Sequence, residues 1–436
     1  MSDAAATTPL DVPAVSFAEA TSVWWRIGWL SFGGPSAQIA LMHRMLVDER
    51  RWLTEQEFMD ALGFCMLLPG PEAMQLATYA GWKLHGTRGG LVAGLAFVLP
   101  GAFVVLALAM LYAAFGHIPF MQAAFRGIQA AVLVLVIEAV LRISKRALVH
   151  TRQYVIAALG FVALFAFAVP YPLIVLAAAL AGACWPLAVS TQAQSTRTAS
   201  LSLTLRTIVV WLAVWVLPLA ALAAVVGRDH ILSQLAWFFS RLAMVTFGGA
   251  YAVLAYMSQE VVAQKGWLTA RQMLDGLGLA ETTPGPLILV TEFVGYVSAF
   301  RAAPANALLQ GLAGAAVALW ATFAPCFLWV FAGAPWIGWL GTQPRLKGAL
   351  AGITAAVLGV IMQLALWFAL HVLFAHVGEW RVGALRVPAP EFRTLEAAVL
   401  GLTLVSGVLL LRLRWSVHRV LGALVLLSVV LARLGR

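Results

Sequence analysis

Two kinds of helix-breaking motif occur twice in this chain, and their residue types could build a binding site for an anion. One is a glycine pair inside an apolar stretch, and the other is the tripeptide Pro-Gly-Pro. A new helix N-terminus presents unpaired N–H groups and the positive end of a dipole, which suits an anion. The candidate anion-binding residues in these motifs are Gly33, Gly34, Pro35, Gly248, Gly249, Pro69, Gly70, Pro71, Pro284, Gly285 and Pro286.

Proline makes each of these breaks predictable. It removes a backbone donor and disfavours helix at the residue before it, so a helix should end near Leu68 and another near Thr283. Pro71 and Pro286 then suit the first turn of the helix that follows. The alternative is that all four motifs are kinks that serve helix packing, since glycine and proline are common in transmembrane helices.

An arginine precedes each glycine pair. Arg26 lies in TSVWWRIGWLSFGG and Arg241 in WFFSRLAMVTFGG. A charge within such an apolar segment costs about 3 kcal/mol at the centre of a bilayer, so it commonly marks a pathway or a partner. Both arginines are therefore candidates for binding the anion with their forked guanidinium groups. The alternative is that they snorkel to the interface or pair with a buried acid.

Acidic residues near the Pro-Gly-Pro motifs are candidates for coupling transport to a proton or counter-ion. Glu72, Glu281 and Glu292 have this position, and a buried carboxyl group can exchange a proton near neutral pH. Glu72 could equally stabilise a helix N-terminus. By contrast, Asp60 and Asp275 follow the motif Trp-Leu-Thr by a few residues and are predicted to lie at the surface or at a helix start.

These residues belong to an internal repeat. The segment 31–71 aligns without a gap onto 246–286 at an offset of 215, with 16 of 41 positions identical. Farther on, GIQAAVL at 127–133 matches GITAAVL at 352–358 at an offset of 225. Shared hydrophobicity cannot produce identical glycine, proline and tryptophan positions, so the chain is a duplication. Duplicated halves are the usual plan of secondary transporters.

The composition places both halves in a membrane. Hydrophobic residues make up 62% of the chain and charged residues only 11%, against about 25% charged in a soluble domain. Several apolar stretches approach the roughly 20 residues that cross a bilayer. The net charge of +10 comes largely from short basic loops such as 142–152 and 412–419, which is typical of cytoplasmic loops and argues against nucleic-acid binding. Three cysteines without CxxC spacing predict no metal or cofactor.

The predicted fold is all-α, a polytopic transmembrane bundle of two homologous halves with broken helices. We divide the chain into an N-terminal tail (1–16), a first repeat (17–190), a polar connector with a linking span (191–228) and a second repeat (229–436). If each Pro-Gly-Pro segment crosses once as a broken helix, the count is thirteen spans and the halves are inverted. If it re-enters, the number of spans before the second repeat is even and the halves are parallel. Only the inverted arrangement puts both basic loops on one side, so it is preferred.

The motifs also resemble a known family. The stretches FGGPSAQIALMHRMLV and CMLLPGPEAMQLATYAGW, followed by FGGAYAVLAYMSQEVV and GWLTARQMLDGLGLAETTPGP, look like the two domains of long-chain chromate ion transporters. The resemblance covers about 23–431. It implies an inner-membrane carrier that exports chromate and confers chromate resistance, with antiparallel halves. The second copy departs from the first, with Ala250 in place of Pro35 and Leu287 in place of Glu72.

The expected function is therefore a multi-pass secondary transporter in a bacterial inner membrane. Its expected partners are chromate and membrane lipid, with a possible homo-oligomer. Sulfate or another tetrahedral oxyanion is the alternative substrate, since sulfate is nearly isosteric with chromate. A membrane-embedded enzyme is a further alternative, although the metal-binding patterns HExxH and DxxxD do not occur in the sequence. A passive anion channel or a scaffold is the last.

Overall fold

The computed structural model describes residues 15–116, 118–185, 200–247, 250–383 and 385–434. Most of the predicted N-terminal tail, much of the polar connector, and both Gly248 and Gly249 lie outside the described residues. Across the described ranges the fold is helical apart from one small β-hairpin, as the sequence predicts for an all-α protein.

The first half and the linking segment form eight helices in the described part of the chain. They are α1 (Phe17–Leu30), α2 (Gly34–His43), α3 (Glu55–Cys65), α4 (Glu72–Phe115), α5 (Pro119–Ala147), α6 (Thr151–Phe167), α7 (Tyr171–Ala183) and α8 (Leu201–Val226). A π-helical turn, Arg44–Glu49, extends α2.

The second half repeats this order with a β-hairpin inserted. Its described helices and strands are α9 (Ile231–Val245), α10 (Ala250–Ser258), α11 (Ala270–Thr282), α12 (Val290–Ala302), α13 (Ala307–Gly333), α14 (Ile337–Gly341), α15 (Pro344–Leu373), β1 (Val377–Val382), β2 (Leu385–Pro390), α16 (Ala397–Gly407) and α17 (Val417–Leu434). The strands pair antiparallel. A π-helical turn, Gln259–Gln264, extends α10 as its counterpart extends α2.

Six helical segments in the described chain are long and apolar enough to cross a membrane, judged by length and composition. They are Glu72–Phe115, Pro119–Lys145, Leu201–Val226, Pro304–Leu340, Pro344–Leu373 and Val417–Leu434. Shorter apolar helices include α6, α7 and α9. The chain is therefore a multi-pass membrane protein. Only a small part of α8 is covered by the rest of the bundle.

Helix α4 is two helices joined by a sharp turn. His85 and Gly86 leave helical geometry, and Gly86 has a φ of +62° that favours glycine. A side chain on Gly81 would place its Cβ 2.5 Å from the carbonyl oxygen of Gly89, so the segments 72–84 and 87–115 run back to back. In the second half Gly295 packs against Gly314 in the same way between α12 and α13.

Each Pro-Gly-Pro segment forms a hairpin whose two ends meet. The Lys83 ammonium lies 2.6 Å from a Glu57 carboxylate oxygen, which joins the end of segment 72–84 to the first turn of α3. In the second half Arg301 Nη1 donates to Gln272 Oε1 at 2.7 Å and joins the end of α12 to the start of α11. The chain thus enters and leaves on one face. Each segment therefore turns back within the bundle, unlike the single crossing by a broken helix that is preferred from the sequence.

The two halves exchange their last helices. Helix α5 packs against α16 and α17, and α15 packs against α6 and α7. Small residues allow this approach, because Gly127 abuts the Leu424 carbonyl and its repeat counterpart Gly352 abuts the Ala178 carbonyl. The Ser428 hydroxyl also donates to the Ala123 carbonyl at 2.6 Å. This exchange packs the two halves of the chain against each other.

Candidate functional site

The helix breaks of the two halves meet through a reciprocal pair of backbone hydrogen bonds. The amide of Gly70 donates to the carbonyl of Thr246 at 2.8 Å, and the amide of Gly285 donates to the carbonyl of Ser31 at 2.8 Å. Gly70 and Gly285 occupy the same position of the repeat, as do Ser31 and Thr246. Such an exchange between equivalent positions is the mark of a local two-fold axis. We call residues 31–34, 69–71, 246 and 284–286 the junction.

Glycine is required in the junction by both backbone and space. Gly33, Gly34, Gly70 and Gly285 have φ values of +84°, +78°, +122° and +86°, a region that other residues rarely adopt. A Cβ on Gly70 would lie 2.8 Å from Gln75 Nε2. A Cβ on Gly285 would lie 3.0 Å from Leu289 Cδ1 and also near the Gly101 backbone. The helix ends predicted near Leu68 and Thr283 are confirmed within three residues.

Four helical N-termini begin close to the two reciprocal bonds. Helix α2 begins at Gly34 and α4 at Glu72, three and two residues after bonded positions. Helix α10 begins at Ala250, and the turn Leu287–Leu289 leads directly into α12. The first amides of a helix have no intrahelical acceptor. The junction therefore gathers donors and positive dipole ends from both halves, as an anion site requires.

Two buried glutamines support the junction on one side only. Gln38 Nε2 donates to the carbonyl oxygens of Gly285 at 2.7 Å and Ser31 at 3.3 Å, and so links the two halves. Gln75 Nε2 donates to the Pro69 carbonyl at 2.7 Å. The repeat counterparts, Val253 and Val290, are apolar. Sequence reasoning missed these glutamines, although a polar amide inside an otherwise apolar helix was the available signal.

The three coupling candidates occupy different environments. Glu72 is the first residue of α4 and is partly exposed beside the junction. Glu281, near the end of α11, is buried and accepts a 2.8 Å hydrogen bond from the Tyr251 hydroxyl. Glu292 on α12 is buried, and its Oε2 atom has no hydrogen-bond partner among the described residues. All three lie on the hairpins, within seven residues of a Pro-Gly-Pro motif.

The two equivalent aspartates differ in burial. Asp60 is exposed and accepts a hydrogen bond from Gln56, which confirms the predicted surface position. Asp275 is only 6% exposed, and its two oxygens accept bonds from the Tyr112 hydroxyl at 2.8 Å and Gln129 Nε2 at 2.7 Å. The surface prediction for Asp275 is wrong because α11 packs against both α4 and α5.

The paired arginines are not brought together at the junction. Arg26 is exposed on the face of α1 that also exposes Trp25 and Trp29, and it has no carboxylate partner in the described chain. Arg241 lies 3.3 Å from a carboxylate oxygen of Glu260 and donates to the Tyr256 hydroxyl. The two alternatives raised from sequence, an interfacial position and a buried acid, thus describe these arginines better than direct contact with the junction.

Both repeats match the same protein family. A sequence model of the family described as chromate transporter matches residues 18–183 and 233–434, which is most of the chain. The chain belongs to the chromate transporter family. No solved structure matches it.

Three relatives within the chromate transporter family span nearly the same length. A chromate transport protein of Pseudomonas aeruginosa is 34% identical over 82% of this chain and 82% of its own. A probable chromate transport protein of Synechococcus elongatus is 31% identical over 80% of this chain and 84% of its own. A chromate transport protein of Cupriavidus metallidurans is 30% identical over 80% and 82%.

Proposed function

We propose that the chain is a secondary transporter that exports chromate across a bacterial inner membrane and so confers chromate resistance. The observation that carries the proposal is the reciprocal pair of bonds, Gly70 to Thr246 and Gly285 to Ser31, which gathers helix N-termini from both halves at one place. The names of the three relatives support chromate as the substrate. A binding site at the contact between two repeats is the arrangement expected of an alternating-access carrier.

The charge of the substrate matches this site. Chromate is a dianion at neutral pH, and each helix N-terminus is equivalent to about half a positive charge. The four helix ends at the junction together supply about two positive charges. We therefore assign the compensation of the dianion to the backbone of the junction. Arg26 and Arg241 are assigned to its flanks, where they would raise the local potential without contacting the ion.

We propose nine membrane crossings with inverted halves. Segment 87–115, α5, α6 and α7 would cross in the first half, α8 would link, and α13, α15, α16 and α17 would cross in the second. This count leaves out α1 and α2 as well as the Pro-Gly-Pro hairpin, so five crossings precede the second half. Because five is odd, the second half enters from the opposite face. The basic loops at 142–152 and 412–419 then share one face, which is cytoplasmic by the positive-inside rule. Cysteine labelling from each side should find both loops inside, and labelling from opposite sides would exclude this topology.

We propose Glu72 as the group that links anion binding to a proton, with Glu281 and Glu292 as further members of the proton path. An ionised Glu72 in the first turn of α4 would compete with the dianion for the same positive helix end. The protonated form would not. Apparent chromate affinity should therefore rise as pH falls, and Glu72→Gln should remove that dependence while keeping affinity high.

A flux assay tests the proposed substrate and direction. Everted vesicles that contain the full chain should accumulate chromate saturably, with sulfate as the competing tetrahedral dianion and vesicles without the protein as the control. Flux with and without an imposed proton gradient reports the coupling. If sulfate is taken up saturably and chromate is not, the substrate is sulfate, the alternative oxyanion. The absence of any saturable oxyanion flux would contradict the proposed function.

A further inference from the structure

A water-accessible cavity of about 500 Å³ lies at the open end of the second hairpin, away from the junction. Its walls come from the end of α4, the start of α5, the first turn of α11 and the last turn of α12. Three arginines line it, Arg126, Arg271 and Arg301. We call this cavity the arginine vestibule.

The positive charge of the vestibule is only partly neutralised. Arg271 forms an ion pair with Glu396. Arg301 donates one hydrogen bond to Gln272 Oε1, and neither it nor Arg126 has a carboxylate partner in the described ranges. Asp275 also lines the cavity, but both of its oxygens already accept hydrogen bonds from Tyr112 and Gln129. Two exposed guanidinium groups are therefore left with donors for a ligand.

None of the three arginines is repeated in the other half of the chain. At the equivalent positions of the first half, Gln56 replaces Arg271 and Gly86 replaces Arg301. Ala351 replaces Arg126. A structural need common to both halves would have kept these residues in both. The charge cluster is thus a feature of the face at which the second hairpin opens.

We propose that Arg126, Arg271 and Arg301 form a second oxyanion site, which takes a tetrahedral dianion at the face opposite the basic loops. Arginine forks bind oxyanions through parallel N–H donors. Arg126 and Arg301 supply two such forks without a carboxylate partner in the described ranges, and Arg271, paired with Glu396, adds further donors. The proposal deepens the proposed function and rests on it, because the site would hold the transported ion on the side where the second hairpin opens. Its occupancy does not require the junction.

Sulfate binding to a variant with a disrupted junction tests the vestibule separately from the junction. Full-length Gly285→Leu protein in phosphatidylcholine nanodiscs, or Gly70→Leu protein if the first does not fold, should still bind radiolabelled sulfate at one site in equilibrium dialysis. Adding Arg126→Gln and Arg301→Gln should weaken that binding at least about tenfold, since both guanidinium groups that donate charge-assisted hydrogen bonds to the ion are lost. The matched control Arg206→Gln with Arg345→Gln removes the same charge elsewhere and should leave binding unchanged.

Two results would contradict the proposed oxyanion site in the vestibule. One is the absence of sulfate binding by both folded junction variants, and the other is equal binding by the vestibule and control variants. A third arm distinguishes free anion from lipid phosphate, which has the same chemistry. If phosphatidylglycerol in the nanodiscs abolishes sulfate binding in a manner that depends on Arg126 and Arg301, the occupant is lipid and the transport role fails.

Sidedness separates this proposal from the proposed function. In wild-type background, Arg126→Gln with Arg301→Gln should raise the apparent KM for oxyanion added at the face opposite the basic loops, and leave the KM from the other face unchanged. An equal rise from both faces would indicate a structural effect and contradict the vestibule. If wild-type protein binds sulfate at the vestibule but carries no oxyanion, the proposed function fails while the site stands.

Discussion

The open ends of the two hairpins are built on one backbone plan and carry different charges. At the first, Glu57 pairs with Lys83 and Asp60 is exposed. At the second, Gln272 and Ser298 occupy the positions of that ion pair, and Asp275 is buried between helices. Arg271 and Arg301 lie beside them, where the first hairpin has a glutamine and a glycine. The backbone breaks that form the junction are shared by both halves. A duplicated frame can therefore position one site on its two-fold axis, while the side chains at each open end make the two faces of the transporter unlike.

The largest effect is expected from substitutions in the junction, the part of the backbone that both halves share. Gly70→Leu and Gly285→Leu should each abolish chromate flux while the protein stays inserted, because a side chain is strained at positive φ and would meet Gln75 or Leu289. Gly63→Leu is the matched control, since a Cβ there meets nothing within 4 Å. Flux is measured in everted vesicles and normalised to folded protein. Wild-type flux in both junction variants would reduce the motifs to packing kinks.

The second-largest effect is a difference in stability between variants of Arg241 and Arg26. Arg241→Ala should lower stability by about 1–3 kcal/mol, because it leaves the buried carboxylate of Glu260 without its charged partner. Arg26→Ala should change stability by less than about 0.5 kcal/mol, as expected of an exposed residue without a partner. Thermal unfolding in detergent measures both. A loss of chromate affinity in Arg26→Ala at normal abundance would instead show that this arginine reaches the ion in another state.

A smaller difference is expected between the two aspartates. Asp275→Asn should lower stability by about 1–2 kcal/mol, since the amide cannot accept at both atoms from Tyr112 and Gln129. Asp60→Asn should lie within about 0.5 kcal/mol of wild type, because its carboxylate is exposed. Unfolding midpoints of the two variants, compared under one set of conditions, give the answer. Equal losses would mean that burial of Asp275 contributes nothing.

The smallest effect concerns the closure of the first hairpin. Lys83→Ala should cost about 0.2–1 kcal/mol, because the ion pair with Glu57 is partly exposed and screened by salt. The cost should shrink further at high salt. A double-mutant cycle with Glu57→Ala, measured at two salt concentrations, isolates the pair. A coupling energy that salt does not reduce would mean that the ion pair is less accessible to solvent than the exposure of its two side chains indicates.

Local rules allowed the sequence to predict the helix ends. Thr54 and Thr269 cap α3 and α11, each accepting from the third residue of its helix, as threonine commonly does at an N-cap. The breaks at Gly33 and at both Pro-Gly-Pro motifs also follow from the backbone preferences of single residues. The duplication was readable because identical residues recur at a constant offset.

Only the tertiary structure decided where the chain goes after each break. A break ends one helix without setting the direction of the next, so the return of segment 72–84 toward α3 depends on its packing at Gly81 and Gly89. The burial of Asp275 and the exposure of Arg26 likewise depend on which helix faces are covered. Local sequence determines where the backbone can bend. Contacts between distant segments determine in which direction it bends and which charged side chains are buried.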